Sequence, residues 1–226
     1  MNLTLFDLDG TLLEIDSDHA FGEFMVTLGW VDGDAFKRRN DAFYEDYQAA
    51  RLDIDAYIDF VTAPWRHRPD GDLAAARERF MGERIRPALR ESATSLVRRH
   101  QTAGDLVAIV TATNEFVTRP IADAFGVVAL IAVELSRDDN GAVTGAVHGV
   151  PSFREGKVVR VEQWLAGRGL RHADFDRVTF YSDSTNDLPL LEWATHPVAT
   201  NPGPALATIA RERGWPVLNL FNKDET

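Results

Sequence analysis

The sequence predicts an α/β fold: a parallel sheet with helices on both faces, and a block of helices inserted after the first strand. Three observations predict it. A short apolar run, Leu3 to Phe6, reads as a strand buried on both faces and stops at Asp7. From Asp16 to about Arg84 the apolar spacing is helical, with no convincing strand. After Pro87 strands and helices alternate to the end, which is the pattern of a parallel sheet. A chain of 226 residues suits one domain with a sizeable insertion. We therefore expect an α/β core of residues 1–15 and 85–226 and a helical unit of residues 16–84.

The elements follow in order. Phe21, Phe24, Met25 and Leu28 recur at i, i+3, i+4, i+7, as do Ile54, Tyr57, Ile58 and Val61, the latter behind Asp53 as N-cap. Leu73, Ala76 and Phe80 mark another helix, and "GWVDGD" and "PWRHRPDG" mark loops. A helix Glu91–Ala103 ends at Gly104, a natural C′ residue. A buried strand, Leu106 to Val110, a helix Phe116–Phe125 and an apolar run Val127–Val133 come next. Asn140-Gly141 is a strong hairpin signal and predicts a small antiparallel ribbon. Helix Lys157–Ala166, a strand in "RVTFYSD" ending at Asp183, "HPVAT", helix Ala205–Arg213 and "WPVLNL" complete the alternation. The closing "NKDET" is expected to fray.

Composition narrows the chemistry. Hydrophobic residues make up 45% and charged residues 26%, an ordinary globular balance. The formal net charge of -11 repels phosphate backbones and anionic lipids, so neither nucleic acid nor membrane is expected as a partner. With no cysteine, disulfides, thiolate catalysis and thiolate zinc sites are excluded, and a reducing cytoplasm fits. The opening "MNLTLFDLDG" has no basic start and no h-region, so no secretory signal is expected. The longest apolar run is too short to span a bilayer. Nothing in the sequence speaks to oligomeric state.

The acids gather where a parallel sheet binds ligands, beyond the carboxyl ends of its strands. Strand one ends in Asp7-Leu8-Asp9-Gly10, the "VAIV" strand at Thr111, and the "VTFYS" strand at Asp183 with Asp187 four residues on. Two carboxylates ~4 Å apart repel by about 4 kcal/mol at an effective dielectric near 20, so a proton or cation must be present. Oxygen-only ligands favour a hard ion, most naturally Mg²⁺, which completes its shell with water and substrate phosphate. An EF-hand reading fails, because Gly10 falls at loop position four and a strand precedes the loop. The hydroxyls and amides of "TATN" before a helix could hold an anion. Lys157 after Gly156 is a second candidate for phosphate, although a lone lysine there is ordinarily a surface residue.

Together, Asp7-Leu8-Asp9-Gly10-Thr11, Thr111, Lys157 and "YSDSTND" resemble the haloacid-dehalogenase superfamily in order and spacing. Residues 16–84 are placed like its type-1 helical cap, and the whole is most similar to the phosphoserine-phosphatase-like branch (subfamily IB). The resemblance implies a Rossmann-like core and a Mg²⁺-dependent phosphatase acting on a small phosphorylated metabolite. It implies Asp7 as nucleophile forming an aspartyl-phosphate, and Asp9 as general acid and then base. It implies Asp7, Asp183 and the Asp9 carbonyl as metal ligands, with Asp187 behind them or acting through water. Thr111, Lys157 and Asn186 would take phosphoryl oxygens, Gly10 would let the chain turn, and Thr11 would orient Asp9.

The substrate is expected to be chosen by the cap. Asp16 matches the acid that grips the amino acid in phosphoserine phosphatases. The cap-helix arginine of those enzymes is missing from "DIDAYIDFVTA", with Arg66 and Arg68 as possible substitutes. Amino-alcohol phosphates are among the other esters this branch uses. Three rivals stay open on sequence: a phosphotransferase or mutase on the same scaffold, a phosphoryl-accepting receiver switch, and a non-catalytic anion binder. The final phosphoryl acceptor, the lifetime of the phosphoryl-aspartate and the effect of Asp7→Asn separate them.

Overall fold

The structure, a computed structural model, describes residues 1–49 and 51–221. The sequence expectation for "NKDET" lies outside the described residues. In chain order the elements are β1 (Asn2–Phe6), α1 (Ser17–Thr27), α2 (Gly33–Gln48), α3 (Ile54–Thr62), α4 (Asp70–Phe80), α5 (Glu91–Thr102), β2 (Leu106–Asn114), α6 (Glu115–Ala124), β3 (Ala129–Val133), β4 (Leu135–Arg137), β5 (Val143–Val147), α7 (Glu155–Ala166), β6 (Arg177–Ser182), α8 (Leu188–Trp193), β7 (His196–Thr200), α9 (Pro204–Arg213) and β8 (Val217–Leu218).

The main sheet has the order β3-β2-β1-β6-β7-β8, and every pairing in it is parallel. The strand order reverses between β1 and its neighbours β2 and β6, so the chain makes its switch point beside the end of β1. β4 and β5 form the antiparallel ribbon that Asn140-Gly141 signalled. Leu3, Leu5, Val110, Val178 and Phe180 are buried in the sheet, as expected of strands covered on both faces. Among the described residues no helix is long and apolar enough to cross a membrane.

Side-chain oxygens cap the insertion's helices. Asp16, Asp32 and Asp53 accept from the backbone of His19, Ala35 and Ala56. One apolar cluster runs without a break from Phe6, Ile109 and Val117 in the core into Phe21, Ile58, Trp65 and Phe80 of the insertion. The two connections between core and insertion lie side by side: Leu13 bridges Leu89, and Arg90 Nη2 meets Glu14 Oε2 at 2.5 Å. The second connection is helical throughout, since α4 continues through a π turn (Met81–Ile85) and a 3₁₀ turn (Arg86–Ala88).

Two strand expectations change. β2 runs on to Asn114 instead of ending at Val110, but its register with β3 shifts between Val110 and Asn114. The cause is local: Thr113 N donates to Thr111 Oγ1 (3.1 Å), so the strand bulges. "WPVLNL" yields only the two-residue β8.

A polar network pins the other end of the sheet. Asp105 accepts from Thr4 Oγ1 (2.9 Å) and Asn2 Nδ2 (3.1 Å), and lies 2.7 Å from His100 Nδ1. Burial raises the Asp105 pKa, but the bonds from His100, Asn2 and Thr4 outweigh it and hold the carboxyl below the ordinary aspartate value. A depressed folded pKa means that the unfolded chain binds the extra proton first. This contribution is therefore complete above the unfolded value and lost as pH falls through the folded one. We expect Asp105→Ala to cost about 1–3 kcal/mol in urea unfolding at neutral pH, with the difference shrinking in strong acid.

Candidate active site

Asp7 follows β1 directly and extends its ladder, its N–H donating to Tyr181 O at 2.9 Å. The chain then coils on itself. Leu8 is buried, and its carbonyl accepts from the amides of Thr11, Leu12 and Leu13. Gly10 sits at φ +74°, and a Cβ there would lie 2.3 Å from Asp183 Oδ2. Glycine is required twice over, by backbone sign and by the closeness of β6's end. Asn201, itself at φ 47°, fixes the coil from β7: its Nδ2 donates to Gly10 O (2.9 Å) and Thr11 O (3.1 Å).

The expected side chains meet at this point. Lys157, in the first turn of α7, is fully buried, so the ordinary surface reading of this lysine is wrong. Its Nζ donates to Asp7 Oδ1 (2.8 Å) and to the Asp187 carboxylate (2.7 Å), which also accepts from Ser182 Oγ (2.8 Å). Burial alone would lower the Lys157 pKa, but the charges of Asp187 and Asp7 outweigh it and hold the ammonium charged. Thr11 Oγ1 lies 3.2 Å from Asp7 Oδ2 and 3.2 Å from Asp183 Oδ1, and accepts from Asp183 N (3.0 Å). Thr11 thus orients Asp7 and Asp183, a correction to the expectation that it orients Asp9.

Asp9 is held by Ser17, which the sequence did not single out, and by Thr113 of "TATN", whose hydroxyl was expected on an anion. Ser17 N donates to Oδ1 (2.8 Å) and Thr113 Oγ1 to Oδ2 (2.8 Å). Burial, then the nearby charge of Asp16, push its pKa to about 7. Asp7 also rises through burial, against the pull of Lys157. Asp187 reaches about 6, burial outweighing Lys157. Asp183 is raised well above the usual range by burial and by the charges of Asp7 and Asp187. Adjacent carboxyls in different environments can divide nucleophile from acid.

The other expected residues separate. Thr111 is buried and lines the chamber over Asp7 together with Ala112 and Thr113. Asn186 does not turn its amide to the phosphate position: Nδ2 donates to Tyr47 O (2.9 Å), tying α2 to the core. Asp16 lines the chamber as expected. Arg66 and Arg68 do not. They line a separate groove beside Trp65, Arg77 and Arg137, where Arg66 pairs with Asp59 (2.5 Å) and Arg68 covers the Trp30 ring. The loop that carries them packs toward the β4–β5 ribbon, Arg66 standing against Gly145, so they are no substitute for a cap-helix arginine.

Two spaces that share Asp9, Asp16, Tyr44 and Tyr47 adjoin here. One, about 30 Å³, is walled by Asp7, Asp9, Asp16, Asp18 and Thr111 below and by α2 and α3 aromatics above. The other, about 420 Å³, opens past Asp9, Asp16 and Asp183 toward Ser184 and Pro204. Among the described residues no group of three His, Asp or Glu side chains stands ready for a metal ion. Asp7 and Asp183 nevertheless share Thr11, are both driven toward the neutral form, and offer oxygen only. A hard divalent cation that keeps several waters fits such an incomplete set.

Breaking a buried ion pair strands its partners. We expect Lys157→Met to lower stability by about 3–5 kcal/mol in urea titrations run with EDTA. An unchanged midpoint would mean that Asp7 and Asp187 are neutral without the lysine.

The comparisons agree with this geometry. A model of the family described as haloacid dehalogenase-like hydrolase matches residues 4–192. A histidinol-phosphatase from Neisseria meningitidis is 43% identical over 97% of this chain and 99% of its own. A crystal structure of a protein of unknown function from Bordetella pertussis superposes with a TM-score of 0.92 at 50% identity, over 97% of this chain and 99% of that one. A substrate-bound phosphoserine phosphatase, at 18% identity, shares the fold with a TM-score of 0.66 over 96% and 91% of the two chains. The chain belongs to the haloacid dehalogenase-like hydrolase family.

Proposed function

We propose that this protein is a Mg²⁺-dependent phosphatase that hydrolyses a small phosphorylated metabolite through an aspartyl-phosphate on Asp7. The observation that carries the reading is the contrast between two buried acids. Asp7 rests on the Lys157 ammonium, while Asp9, two residues on, has no cation and a pKa of about 7. The 43% identical Neisseria relative, a histidinol-phosphatase by name, puts histidinol phosphate first among the esters to assay.

An Asp7 carboxylate oxygen attacks phosphorus while the bond to the leaving alcohol breaks. Asp9 gives that oxygen its proton, then takes one from the water that cleaves the aspartyl-phosphate, releasing phosphate and restoring Asp7. Thr113 and the Ser17 amide hold the Asp9 carboxyl for both transfers. Lys157, already beside Asp7, and the Thr111 hydroxyl receive phosphoryl oxygens and offset the repulsion between a carboxylate and a dianion. Asp187 and Ser182 keep Lys157 in place. Asp7, Asp183 and the Asp9 main-chain carbonyl would hold Mg²⁺, with Asp187 supporting from behind. The ion supplies charge stabilisation at the phosphoryl oxygens when bound.

In this reading residues 16–84 act as a cap over the core of residues 1–15 and 85–226. The chamber of about 30 Å³ is tight beside the open space of about 420 Å³ that shares its wall, so lifting of α2 and α3 would widen it for an ester and their return would exclude solvent. The paired connections at Leu13–Leu89 and Glu14–Arg90 are suited to such a hinge.

Asp7→Asn and EDTA should each abolish turnover of small phosphomonoesters, with at least a ~1,000-fold loss for the variant. Asp9→Asn should behave differently with p-nitrophenyl phosphate, whose leaving group needs no proton. Rapid-quench kinetics should show one equivalent of nitrophenolate per enzyme, followed by slow turnover. Full activity in Asp7→Asn would remove the proposed nucleophile.

A further inference from the structure

The insertion and the core share a second concavity, away from the acids at the strand ends. A groove of about 610 Å³ is walled on one side by the loop after α3 and the start of α4, and on the other by Phe116 and the β4–β5 ribbon. That volume is typical of small-ligand sites. On a chain of net charge -11 the groove is nevertheless basic. Arg66, Arg68, Arg77 and Arg137 line it beside His67, and among the described residues of the lining Asp70 alone is acidic.

Three of the four guanidinium groups are anchored by neighbours. Arg66 pairs with Asp59 at 2.5 Å and stands against Gly145. Arg68 Nε donates to Pro64 O (2.9 Å), and its guanidinium lies 4.3 Å over the Trp30 ring. Arg137 Nη1 donates to Gly141 O (3.0 Å), and its Nη2 lies 3.4 Å from Glu115 Oε1. Arg77 differs. It is half-buried with its guanidinium 4.9 Å over the Phe116 ring, and among the described residues neither it nor Arg68 pairs with a carboxylate. Four arginines against Asp59, Glu115 and Asp70 leave positive charge uncompensated even with His67 neutral. Guanidinium forks already held in place lose little freedom on binding, and their planar donors match carboxylate and phosphate oxygens.

We propose that this groove binds a small organic anion bearing two or more carboxylate or phosphate groups, and that the bound anion clasps the insertion to the core. At least two groups are needed because guanidinium groups stand on both walls, Arg68 and Arg77 on the insertion and Arg137 on the ribbon. A long polyanion is disfavoured by the acidic surface beyond the groove. An anion that touches both walls binds best while they are together, so it shifts the population toward the seated insertion. The site stands apart from the phosphatase reading, whereas the clasp rests on that reading, because it opposes the lifting that would admit an ester.

The test is calorimetric titration of the wild-type protein with benzene-1,3,5-tricarboxylate, which has no ester to hydrolyse, and with benzoate, both at constant free Mg²⁺. The tricarboxylate should bind at least about 10-fold more tightly than benzoate, and Arg77→Gln and Arg137→Gln should each weaken it by about 10-fold. Arg68→Gln replaces either variant should one fail to fold. No saturable binding, equal affinity for benzoate, or unchanged affinity in the variants would each overturn the site. With p-nitrophenyl phosphate, saturating tricarboxylate should lower kcat/KM to a plateau, and Arg137→Gln should lose the effect. Unchanged kcat/KM at calorimetric saturation, or inhibition that deepens without a plateau as in competition at Asp7, would overturn the clasp. Failure of the phosphatase reading looks different: no ester is turned over with or without the tricarboxylate.

Discussion

Among the described residues, Lys157 is the one fully buried cation, and the acids at the strand ends are arranged against it. Its ammonium touches Asp7 and Asp187 at 2.8 and 2.7 Å, with Asp183 bound to Asp7 through Thr11. Three carboxyls and one ammonium in a low-dielectric pocket are not balanced. The pKa values of all three acids rise, while Lys157 stays charged. A buried pair of this kind is a weak source of stability, because desolvation cancels much of the attraction. Its value lies in leaving a deficit of positive charge in one place. On the proposed reading, that deficit is what a divalent cation and a phosphoryl group would fill.

The sheet makes the arrangement possible. Parallel strands β2, β1 and β6 end side by side, so Thr111, Asp7 and Asp183 converge without any long loop to hold them. The remaining precision comes from main-chain geometry. Three amides close on the Leu8 carbonyl, Gly10 turns at positive φ against Asp183, and Asn201 ties the coil to β7. The coil on Leu8 is local in sequence, while Asp183 and Asn201 reach it from distant segments. Their loss would move Asp9 relative to Asp7, although none of them touches substrate.

That distinction explains what could be read in advance. The convergence of Asp7, Asp9, Thr111 and Asp183 was legible because the strands of a parallel sheet bring them to one edge, whereas Lys157, in the first turn of α7, was legible only through the family resemblance. The residues that hold them were not. Ser17 serves Asp9 with a backbone amide, which any residue type carries. Thr113 serves it only because β2 bulges, and the bulge has no period-two signature. Asn201 acts through a side-chain amide aimed at another segment, which no local pattern announces. Arg66 and Arg68 show the converse. Their charge suited a substrate, but sequence cannot tell which side of a cap helix a loop will face, and theirs faces the ribbon. The helical insertion was legible as a whole from its periodicity, while the length of α2 and its bond to Asn186 depend on tertiary packing.

An acidic chamber on a protein of net charge -11 opposes the dianionic substrate of the proposed reading. The conflict resolves when the two ends of the site are treated separately. At the sheet, Lys157 supplies an ammonium beside Asp7, which the proposed reading assigns to phosphate; beneath α2 and α3, Asp16 and Asp18 oppose any second anion. An ester with an ammonium at one end and phosphate at the other meets attraction at both. It also carries less net charge than a simple phosphate ester, so the acidic surface opposes its approach less. A dianion with a neutral tail loses the second contact, and one with a carboxylate tail adds a repulsion, so discrimination against both follows from one electrostatic gradient across the chamber. On the proposed reading, closure of α2 and α3 would sharpen that gradient by removing water, with Asp18 held by the Tyr57 phenol in the chamber wall.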